Sequence, residues 1–355
     1  MTSVHVVVPD SIDDPGRPSG GNAYDRRICQ GLSGLGWTVR EHPAPGLWPW
    51  ADAPARMSLQ SVIEGIPDGA VVLIDGLIAS AVPEVLVPHA PRLRLVVLVH
   101  MPLGDAKPGD EVAVGERAVL SAATAVVTTS SWTRNRLIDQ YALAPGQLYV
   151  AEPGVDAAGL APGTPTGGEL LCVAAVTHNK GHDVLLTALA KVADLPWRCV
   201  CVGDLTRDPD FVDHLGHQAR ESGIQQRVQF TGPHAGAGLE AAFAAADLLV
   251  LASRAETYGM VVAEALARGI PVIASAVGGL PQTLGRAADG SRPGLLVPPD
   301  DPAALAAALR SWFSDGELRR NLRSAARDRR TKLSGWSTTS ARIALVLGQA
   351  AEVAA

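Results

Sequence analysis

The stretch SRAETYGMVVAEALARGIPVIAS, residues 253–275, places two glutamates, Glu256 and Glu264, eight positions apart. Residues 260–268 contain no helix breaker, Gly269 supplies a stop signal, and the residues that follow form a short apolar run with strand character. The pattern therefore predicts a helix that leads directly into a strand, as is typical of α/β folds.

The position of Glu264 within this helix is unusual for a carboxylate. The residues three and four positions away are Val261, Ala267, Met260 and Arg268, so only Arg268 could form an ion pair with it. A buried carboxylate without hydrogen-bond donors is costly. Glu264 is therefore expected to face either Arg268 or a ligand that carries hydroxyl groups.

Length and composition limit the class of protein. A chain of 355 residues suits two domains of ordinary size. The net charge is −6 and only four of the 30 basic residues are lysines, so no polybasic tract indicates a nucleic acid partner. No apolar run reaches the roughly 18 residues that a membrane span needs, and no basic residue precedes the first apolar run. These features predict a cytoplasmic protein.

The four cysteines do not indicate a metal site. Cys29 is isolated, and Cys172 and Cys199 stand in apolar runs. Cys199 and Cys201 are two positions apart on a predicted strand, so they point to the same face as small core residues. The acidic pair within "DPD", residues 208–210, resembles a metal-binding motif but falls in a predicted loop of the second half.

Strand-like runs and helical patterns alternate along both halves of the chain. In the first half the predicted strands are 4–8, 71–74, 95–100 and 125–128, with a helix over 23–34. In the second half they are 170–176, 198–202, 227–230, 248–251 and 272–274, with helices from about 182 and over 305–330, and a last helix from about 337. A Gly, Pro and Thr-rich linker over 156–169 separates the halves. The pattern predicts two Rossmann-like domains, 1–158 together with the last helix (about 337–355), and 168–335.

Two common nucleotide-binding motifs are absent. GLSGLG, residues 31–36, ends a helix and precedes a strand, the reverse of the order that a nicotinamide-binding turn requires. No loop ends in Gly-Lys-Ser or Gly-Lys-Thr, as a nucleoside triphosphate hydrolase would need. Dehydrogenase and hydrolase functions are therefore disfavoured.

Glu256 and Glu264, followed by ARGIPVIASAVGGLPQTL and later GLLVPPDD, resemble the retaining glycosyltransferases of family 4 (GT4). Further segments resemble that family's landmarks in the same order: PSGGN at 18–22, LVHMPLGD at 98–105, VTTSSWTRNRL at 127–137, EPGVD at 152–156 and KGHDVLLTAL at 180–189. The resemblance covers nearly the whole chain. It implies a GT-B fold, in which two Rossmann-like domains face each other across a cleft and the C-terminal helix crosses back to the first domain.

The resemblance also assigns roles in the second half. Glu264 corresponds to the glutamate that binds the ribose hydroxyls of a nucleoside-diphosphate (NDP) sugar, and Glu256 corresponds to the one that contacts the donor sugar. Backbone amides at Gly259, Met260 and Val261 are expected to face the phosphates, where a helix begins and carries partial positive charge.

Four further residues complete the expected site. Lys180 can neutralise charge that develops on the β-phosphate as the glycosidic bond breaks. His100 is expected to contact the donor sugar, and Gly20 and Gly21 let backbone amides approach the diphosphate. The chain departs from the family at one point, because Ala175 stands where an arginine commonly precedes the lysine.

The sequence therefore predicts a retaining, NDP-sugar-dependent glycosyltransferase of bacterial origin that needs neither a metal nor a cofactor, since the sugar nucleotide is its substrate. The first half lacks a basic amphipathic face, which favours a soluble small molecule or glycan over a membrane lipid as the acceptor. Two alternatives stay open at this point, a GT-B nucleotide-sugar epimerase and a non-catalytic nucleotide-sugar-binding protein.

Overall fold

The computed structural model describes residues 2–14, 16, 18–104 and 111–352. These residues form two compact units, one built from 2–14, 19–154 and 334–352, and the other from 16, 18 and 155–333. Residue 105, the last of the motif LVHMPLGD, lies outside the described residues.

The first unit is a six-stranded parallel sheet with helices. Its strands are β1 (Ser3–Pro9), β2 (Thr38–Ala44), β3 (Val71–Asp75), β4 (Arg94–Val99), β5 (Ala125–Thr128) and β6 (Leu148–Val150). Its helices before residue 155 are α1 (Gly20–Gly34), α2 (Ala53–Gly65), α3 (Gly76–Ser80), α4 (Pro83–His89), α5 (Glu111–Ala122) and α6 (Ser131–Tyr141). The strand order is β2-β1-β3-β4-β5-β6. Strands β3 and β4 are buried along their whole length, because parallel sheets are covered on both faces.

The second unit repeats this architecture. Its strands are β7 (Glu169–Val173), β8 (Arg198–Val202), β9 (Val228–Gly232), β10 (Leu248–Leu251), β11 (Val272–Ser275) and β12 (Gly294–Val297). Its helices are α7 (His182–Ala190), α8 (Pro209–Glu221), α9 (Ala237–Ala245), α10 (Met260–Ala267), α11 (Leu280–Leu284), α12 (Pro302–Ser314) and α13 (Gly316–Arg330). The strand order is β12-β11-β10-β7-β8-β9, and every pairing is parallel. The helical region predicted over 305–330 is two helices, because the helix is interrupted at Asp315, whose side chain caps α13.

The last helix, α14 (Trp336–Glu352), belongs to the first unit and packs against α1. Its apolar residues Ile343 and Leu347 join the same core cluster as Ile28 and Leu32 of α1. The two helices approach closely at Gly31, where an added Cβ atom would lie 2.0 Å from Ser340 Oγ and 2.6 Å from Ser340 Cβ. The absence of a side chain at position 31 therefore allows α14 to seat on α1.

We expect Gly31→Ala to destabilise the first unit by about 1–3 kcal/mol, because the added methyl group cannot fit without separating the helices. Gly34→Ala is the matched control, since a Cβ atom added at position 34 would have no neighbour within 4 Å. Denaturant unfolding measures both variants. Adding Ser340→Gly to Gly31→Ala should recover part of the loss, and an equal loss at positions 31 and 34 would contradict this account of the packing.

Candidate active site

The predicted residues of the second unit follow two neighbouring strands. Strands β7 and β10 are paired in the middle of the sheet, and the strand order reverses between them. The loops that leave their carboxyl ends therefore diverge, which is where open α/β sheets bind ligands. Lys180 lies in the loop after β7, whereas Glu256 lies in the loop after β10 and Glu264 on the helix that follows.

An ion pair joins these two loops. The Lys180 Nζ atom contacts Glu256 Oε1, and both side chains are partly buried, with exposed fractions of 26% and 13%. Lys180 ends a short 3-10 turn, which places its ammonium group toward the loop after β10. The structure thus brings together two of the three residues that the sequence assigned to catalysis.

Two glycines hold the loop that carries Glu256. The Gly279 N–H donates to the Glu256 carbonyl oxygen at 2.9 Å. Gly278 has a φ of 53°, and a Cβ atom there would lie 1.7 Å from the same carbonyl oxygen. A side chain at position 278 would therefore displace the backbone of Glu256.

Helix α10 begins beside this loop. Its N-cap is Gly259, which adopts a left-handed conformation with a φ of 82°, and Met260 and Val261 form the first turn. The first N–H groups of a helix lack partners within the helix and carry partial positive charge, so they favour an anion. The amides of Gly259, Met260 and Val261, which the sequence assigns to the phosphates, lie at this helix start.

Glu264 is partly buried one turn further along α10. Among the described residues, none donates a hydrogen bond to its carboxylate. Arg268, its one candidate partner on the helix, instead forms an ion pair with Glu240 and donates to the Glu264 backbone oxygen at 2.8 Å. Burial raises the pKa of the Glu264 carboxyl; Arg268 opposes this, while Asp156 and Glu240 add to it. A carboxylate held in this way is prepared to accept hydrogen bonds from a ligand.

Arg254 is a residue of this region that the sequence motifs do not identify. Its backbone N–H donates to the Asn179 carbonyl oxygen at 2.9 Å, and its guanidinium pairs with Asp183 and Asp300 at 2.7 Å each. It therefore ties the lysine-bearing turn to the end of β10. Because two carboxylates neutralise Arg254, it does not replace the arginine that commonly stands at the position of Ala175.

In the first unit the strand order reverses between β1 and β3, and the predicted Gly20 and Gly21 follow β1. The loop after β1 leads into α1, which begins at Gly20 and is capped by Ser19, whose side chain accepts from the Asn22 N–H at 3.0 Å. A Cβ atom at Gly21 would lie 3.3 Å from His100 Cδ2. The structure thus places the start of α1 against the histidine that follows β4.

His100 lies beside two buried carboxylates that the sequence motifs also leave out. Its Nε2 atom is 2.8 Å from Asp25 Oδ1 and 3.7 Å from Asp75 Oδ2. Burial alone would lower the pKa of His100, but Asp25, by its charge and hydrogen bond, and then Asp75 raise it to about 9. Burial, followed by the charge of Asp25, raises the pKa of Asp75 to about 7. Asp75 directly follows the apolar run of residues 71–74, and this pattern could have identified it from the sequence.

The acidic pair of residues 208–210 has a structural role. The Asp208 side chain caps α8 by accepting from the Phe211 N–H at 3.2 Å, and Asp210 stands in the first turn of that helix. Within the described part of the chain, only Asp25, Asp75 and His100 place three potential metal-ligating atoms within 4.8 Å of one another. All four cysteines are buried and free.

The second unit matches a known family of proteins. The model of the family described as Glycosyl transferases group 1 matches residues 164–329. D-inositol 3-phosphate glycosyltransferase of Kineococcus radiotolerans is 34% identical over 260 residues, which cover 67% of this chain and 60% of that protein. D-inositol 3-phosphate glycosyltransferase 1 of Catenulispora acidiphila is 33% identical over 300 residues, which cover 79% of this chain and 70% of that protein. The chain thus spans 60% to 70% of the length of these two curated relatives.

Solved structures share the fold over nearly the whole chain. Sucrose-phosphate synthase from Thermosynechococcus elongatus has a TM-score of 0.79 at 22% identity, with 98% of this chain and 99% of that chain covered. Anabaena HepE in complex with UDP-glucose has a TM-score of 0.77 at 18% identity, with 98% and 100% covered.

Two Rossmann-like units, each a six-stranded parallel sheet, together with these likenesses define a protein of the GT-B class. The chain belongs to the group 1 glycosyltransferases, which confirms the resemblance to the retaining enzymes of family 4. The predicted α/β fold class is confirmed as well. Among the described residues, no helix has both the length and the apolar character that crossing a membrane requires.

The burial of Glu264 generates a prediction about stability. Because its pKa is raised in the folded state, the ionised carboxylate opposes folding, and stability falls as the pH rises above the ordinary carboxyl value. Glu264→Gln should therefore unfold at a higher temperature than the wild type at pH 8 without any ligand, and this gain should shrink toward pH 5. Thermal unfolding across this range measures the effect.

The control is Glu221→Gln, which removes a charge from an exposed position of α8 in the same unit. It should change the unfolding temperature at pH 8 less than Glu264→Gln does. A Glu264→Gln variant that is less stable than the wild type at pH 8 would show that the carboxylate has a protein partner.

Proposed function

We propose that the chain is a retaining glycosyltransferase that moves a sugar from a nucleoside-diphosphate sugar to a small hydroxyl-bearing acceptor. The observation that carries the proposal is the partly buried Glu264 carboxylate, which no described donor satisfies, on a helix whose first turn lies beside the Lys180–Glu256 pair. A ribose diol, a diphosphate and a sugar together offer the groups that this arrangement can bind.

Each part of the donor has a proposed partner. The Glu264 carboxylate accepts hydrogen bonds from the ribose hydroxyls, and the amides of Gly259, Met260 and Val261 bind the diphosphate. Lys180 neutralises the charge that the β-phosphate acquires, and Glu256 contacts the sugar. His100 and the amides of the α1 start, at Gly20 and Gly21, keep the donor-binding roles that the family resemblance implies.

The proposed chemistry needs no side-chain nucleophile. The bond between the sugar's anomeric carbon and the β-phosphate oxygen breaks, and the acceptor oxygen forms a new bond to that carbon on the same face. The acceptor's proton passes to the departing phosphate oxygen, so the products are the glycoside and the nucleoside diphosphate. Lys180 and the start of α10 meet the leaving charge, so we propose that turnover requires no metal.

The comparisons support a choice of substrates for testing. A structure of Anabaena HepE contains UDP-glucose, which makes this the first donor to test. The relatives named for D-inositol 3-phosphate favour a small polyol phosphate as the first acceptor. A cytoplasmic location stays part of this proposal.

The direct test is release of nucleoside diphosphate from UDP-glucose with and without inositol phosphate, in buffer containing EDTA. Transfer predicts release that depends on the acceptor, together with a product of unchanged anomeric configuration. An epimerase would change the donor sugar without any acceptor, and a silent binding protein would do neither. If a thermal-shift screen of common sugar nucleotides shows no binding, the proposed function is wrong.

Substitutions of Glu264 and Glu256 should have different effects on nucleotide binding. Glu264→Ala is expected to weaken binding of bare nucleoside diphosphate, because it removes the proposed ribose contact. Glu256→Ala should largely keep nucleotide affinity and lower turnover with the full donor, because its proposed partner is the sugar. Calorimetry with UDP, followed by steady-state rates, distinguishes the two roles. Equal losses of UDP affinity in both variants would contradict this division.

Lys180→Ala should lower turnover by roughly a hundredfold or more, because loss of one transition-state charge contact typically costs about 2.7–4 kcal/mol. Lys191→Ala, which alters an exposed lysine of the same unit, is the control and should change little. Ala175→Arg in the Lys180→Ala background should restore part of the rate by supplying a second cation. Steady-state kinetics decide the matter, since near-normal turnover of Lys180→Ala would place the diphosphate elsewhere.

A further inference from the structure

Asp25 and Asp75 have no part in the roles proposed above, yet both are almost fully buried, with 3% and 4% exposed. Asp25 lies on α1 and Asp75 ends β3, and both line a small pocket whose other lining residues are apolar. Two carboxylates so close together in an apolar interior cannot both be ionised without a large free-energy cost. Their surroundings therefore have to supply either a proton or a cation.

The hydrogen bonds show which oxygen atoms lack a donor. Asp25 Oδ1 accepts from His100 Nε2 at 2.8 Å, and Asp75 Oδ1 accepts from the Leu77 N–H at 2.6 Å. Asp25 Oδ2 is buried and has no hydrogen-bond partner among the described groups. One carboxylate oxygen of Asp75 lies within 4.8 Å of one of Asp25. A proton on Asp75 that is donated to Asp25 Oδ2 would satisfy this last oxygen.

We propose that Asp25 and Asp75 share one proton and that this singly charged pair holds His100 as an imidazolium, so that its Nδ1–H is available to donate to an oxygen of the donor sugar. The contact with sugar rests on the proposed function, whereas the proton sharing does not. Asp25 and Asp75 are thus positioning residues that act through His100.

The geometry favours a proton over a metal ion. The distance of 2.8 Å between His100 Nε2 and Asp25 Oδ1 is that of a direct, charge-assisted hydrogen bond. Ligand atoms about 2.0–2.1 Å from a tetrahedral zinc ion would stand about 3.3 Å apart. Because Nε2 of the imidazolium donates to Asp25, Nδ1–H is the donor left for a substrate.

The other titratable groups around the triad do not replace this proton. Tyr24 of α1 meets the His100 ring edge-on, with centroids 5.2 Å apart, but its hydroxyl donates to the Ala151 carbonyl oxygen at 2.9 Å. Burial raises the pKa of the Tyr24 hydroxyl, and the positive charge of Arg342 on α14 opposes this. The charged groups that act on the pKa values of Asp75 and His100 are Asp25 and these two residues themselves.

Proton sharing predicts the direction in which the stability of the protein changes with pH. The folded-state pKa values of both Asp75 and His100 are raised, so the folded protein binds more protons than the unfolded chain. The contribution of Asp75 is lost as the pH rises from about 4 to 7, and that of His100 as it rises from 6.5 to about 9. Asp75→Asn should remove the first of these losses and leave the second.

The test is an NMR titration of the full chain labelled with nitrogen-15 at histidine, without donor or acceptor, in which His100→Gln identifies the His100 signals. Both ring nitrogens of His100 should be protonated at pH 7, close to the upper limit at which Asp75 keeps its proton. Asp25→Asn should lower the proton affinity of His100 at least tenfold, because it removes the charged hydrogen-bond partner. Asp75→Asn should keep the imidazolium, because its amide can donate to Asp25 Oδ2 as the shared proton does.

Asp13→Asn is the control, since it removes an exposed carboxylate of the same unit that pairs with Arg26 and should not move the His100 titration. The proposal is overturned if wild-type His100 titrates near 6.5, or if the purified protein holds one divalent ion per chain whose removal releases the histidine. The wild-type titration decides the question even if Asp25→Asn fails to fold. An inactive protein with the expected titration would contradict the proposed function alone.

Discussion

Both units depend on one constraint of parallel sheets, which is that the carboxyl ends of all strands lie at the same edge. Where the strand order reverses, the loops that follow two neighbouring strands turn in opposite directions and leave room between them. The reversal lies between β1 and β3 in the first unit and between β7 and β10 in the second. Side chains far apart in the sequence, such as Lys180 and Glu256, meet only because they follow the two strands at such a point.

The ionised carboxyl groups of Glu264 and Asp75 at these points reduce the stability of the protein, because folding raises their pKa values. The sheets bury continuous apolar strands, but Glu264, Asp25 and Asp75 place carboxyl groups in partly or wholly buried positions. Elsewhere buried acids are fully satisfied, as at Asp247, which receives hydrogen bonds from the Thr164 and Glu169 N–H groups and pairs with Arg323. The contrast is physical, because Asp247 has donors for both carboxylate oxygens, whereas at the candidate sites Asp25 Oδ2 and the Glu264 carboxylate have none among the described groups. Incomplete satisfaction is thus a feature of the candidate sites and not of buried acids in general.

The sequence predicted the central strands well and missed three of the four edge strands. The strands over 125–128, 198–202 and 248–251 agree residue for residue with β5, β8 and β10, because strands buried on both faces are continuously apolar. The strands β2, β6 and β12 were not predicted, and each lies at an edge of its sheet. β2 has the sequence TVREHPA, which is mostly solvent-exposed and has no apolar run to detect. Edge strands depend on tertiary pairing more than on local pattern.

The candidate sites show the same limit. A motif can assign roles to Glu256, Glu264 and Lys180 because the motif itself fixes their order. No spacing relates Asp25, Asp75 and His100, which follow different elements and meet only in the folded sheet. Arg254 lies inside the opening stretch, but its ion pairs with Asp183 and Asp300 depend on the fold.

The Lys180–Glu256 pair connects the architecture to the proposed chemistry. Without a diphosphate, the partly buried ammonium group needs a counter-ion, and Glu256 supplies it. Under the proposed function, the donor's β-phosphate takes over this role, and Glu256 becomes able to accept a hydrogen bond from the sugar. Binding then exchanges one ion pair for another, so the charge of Lys180 is in place before the leaving group needs it. Ala175 offers no second cation and two carboxylates neutralise Arg254, so under the proposed function neither position shares the role of Lys180 toward the leaving group.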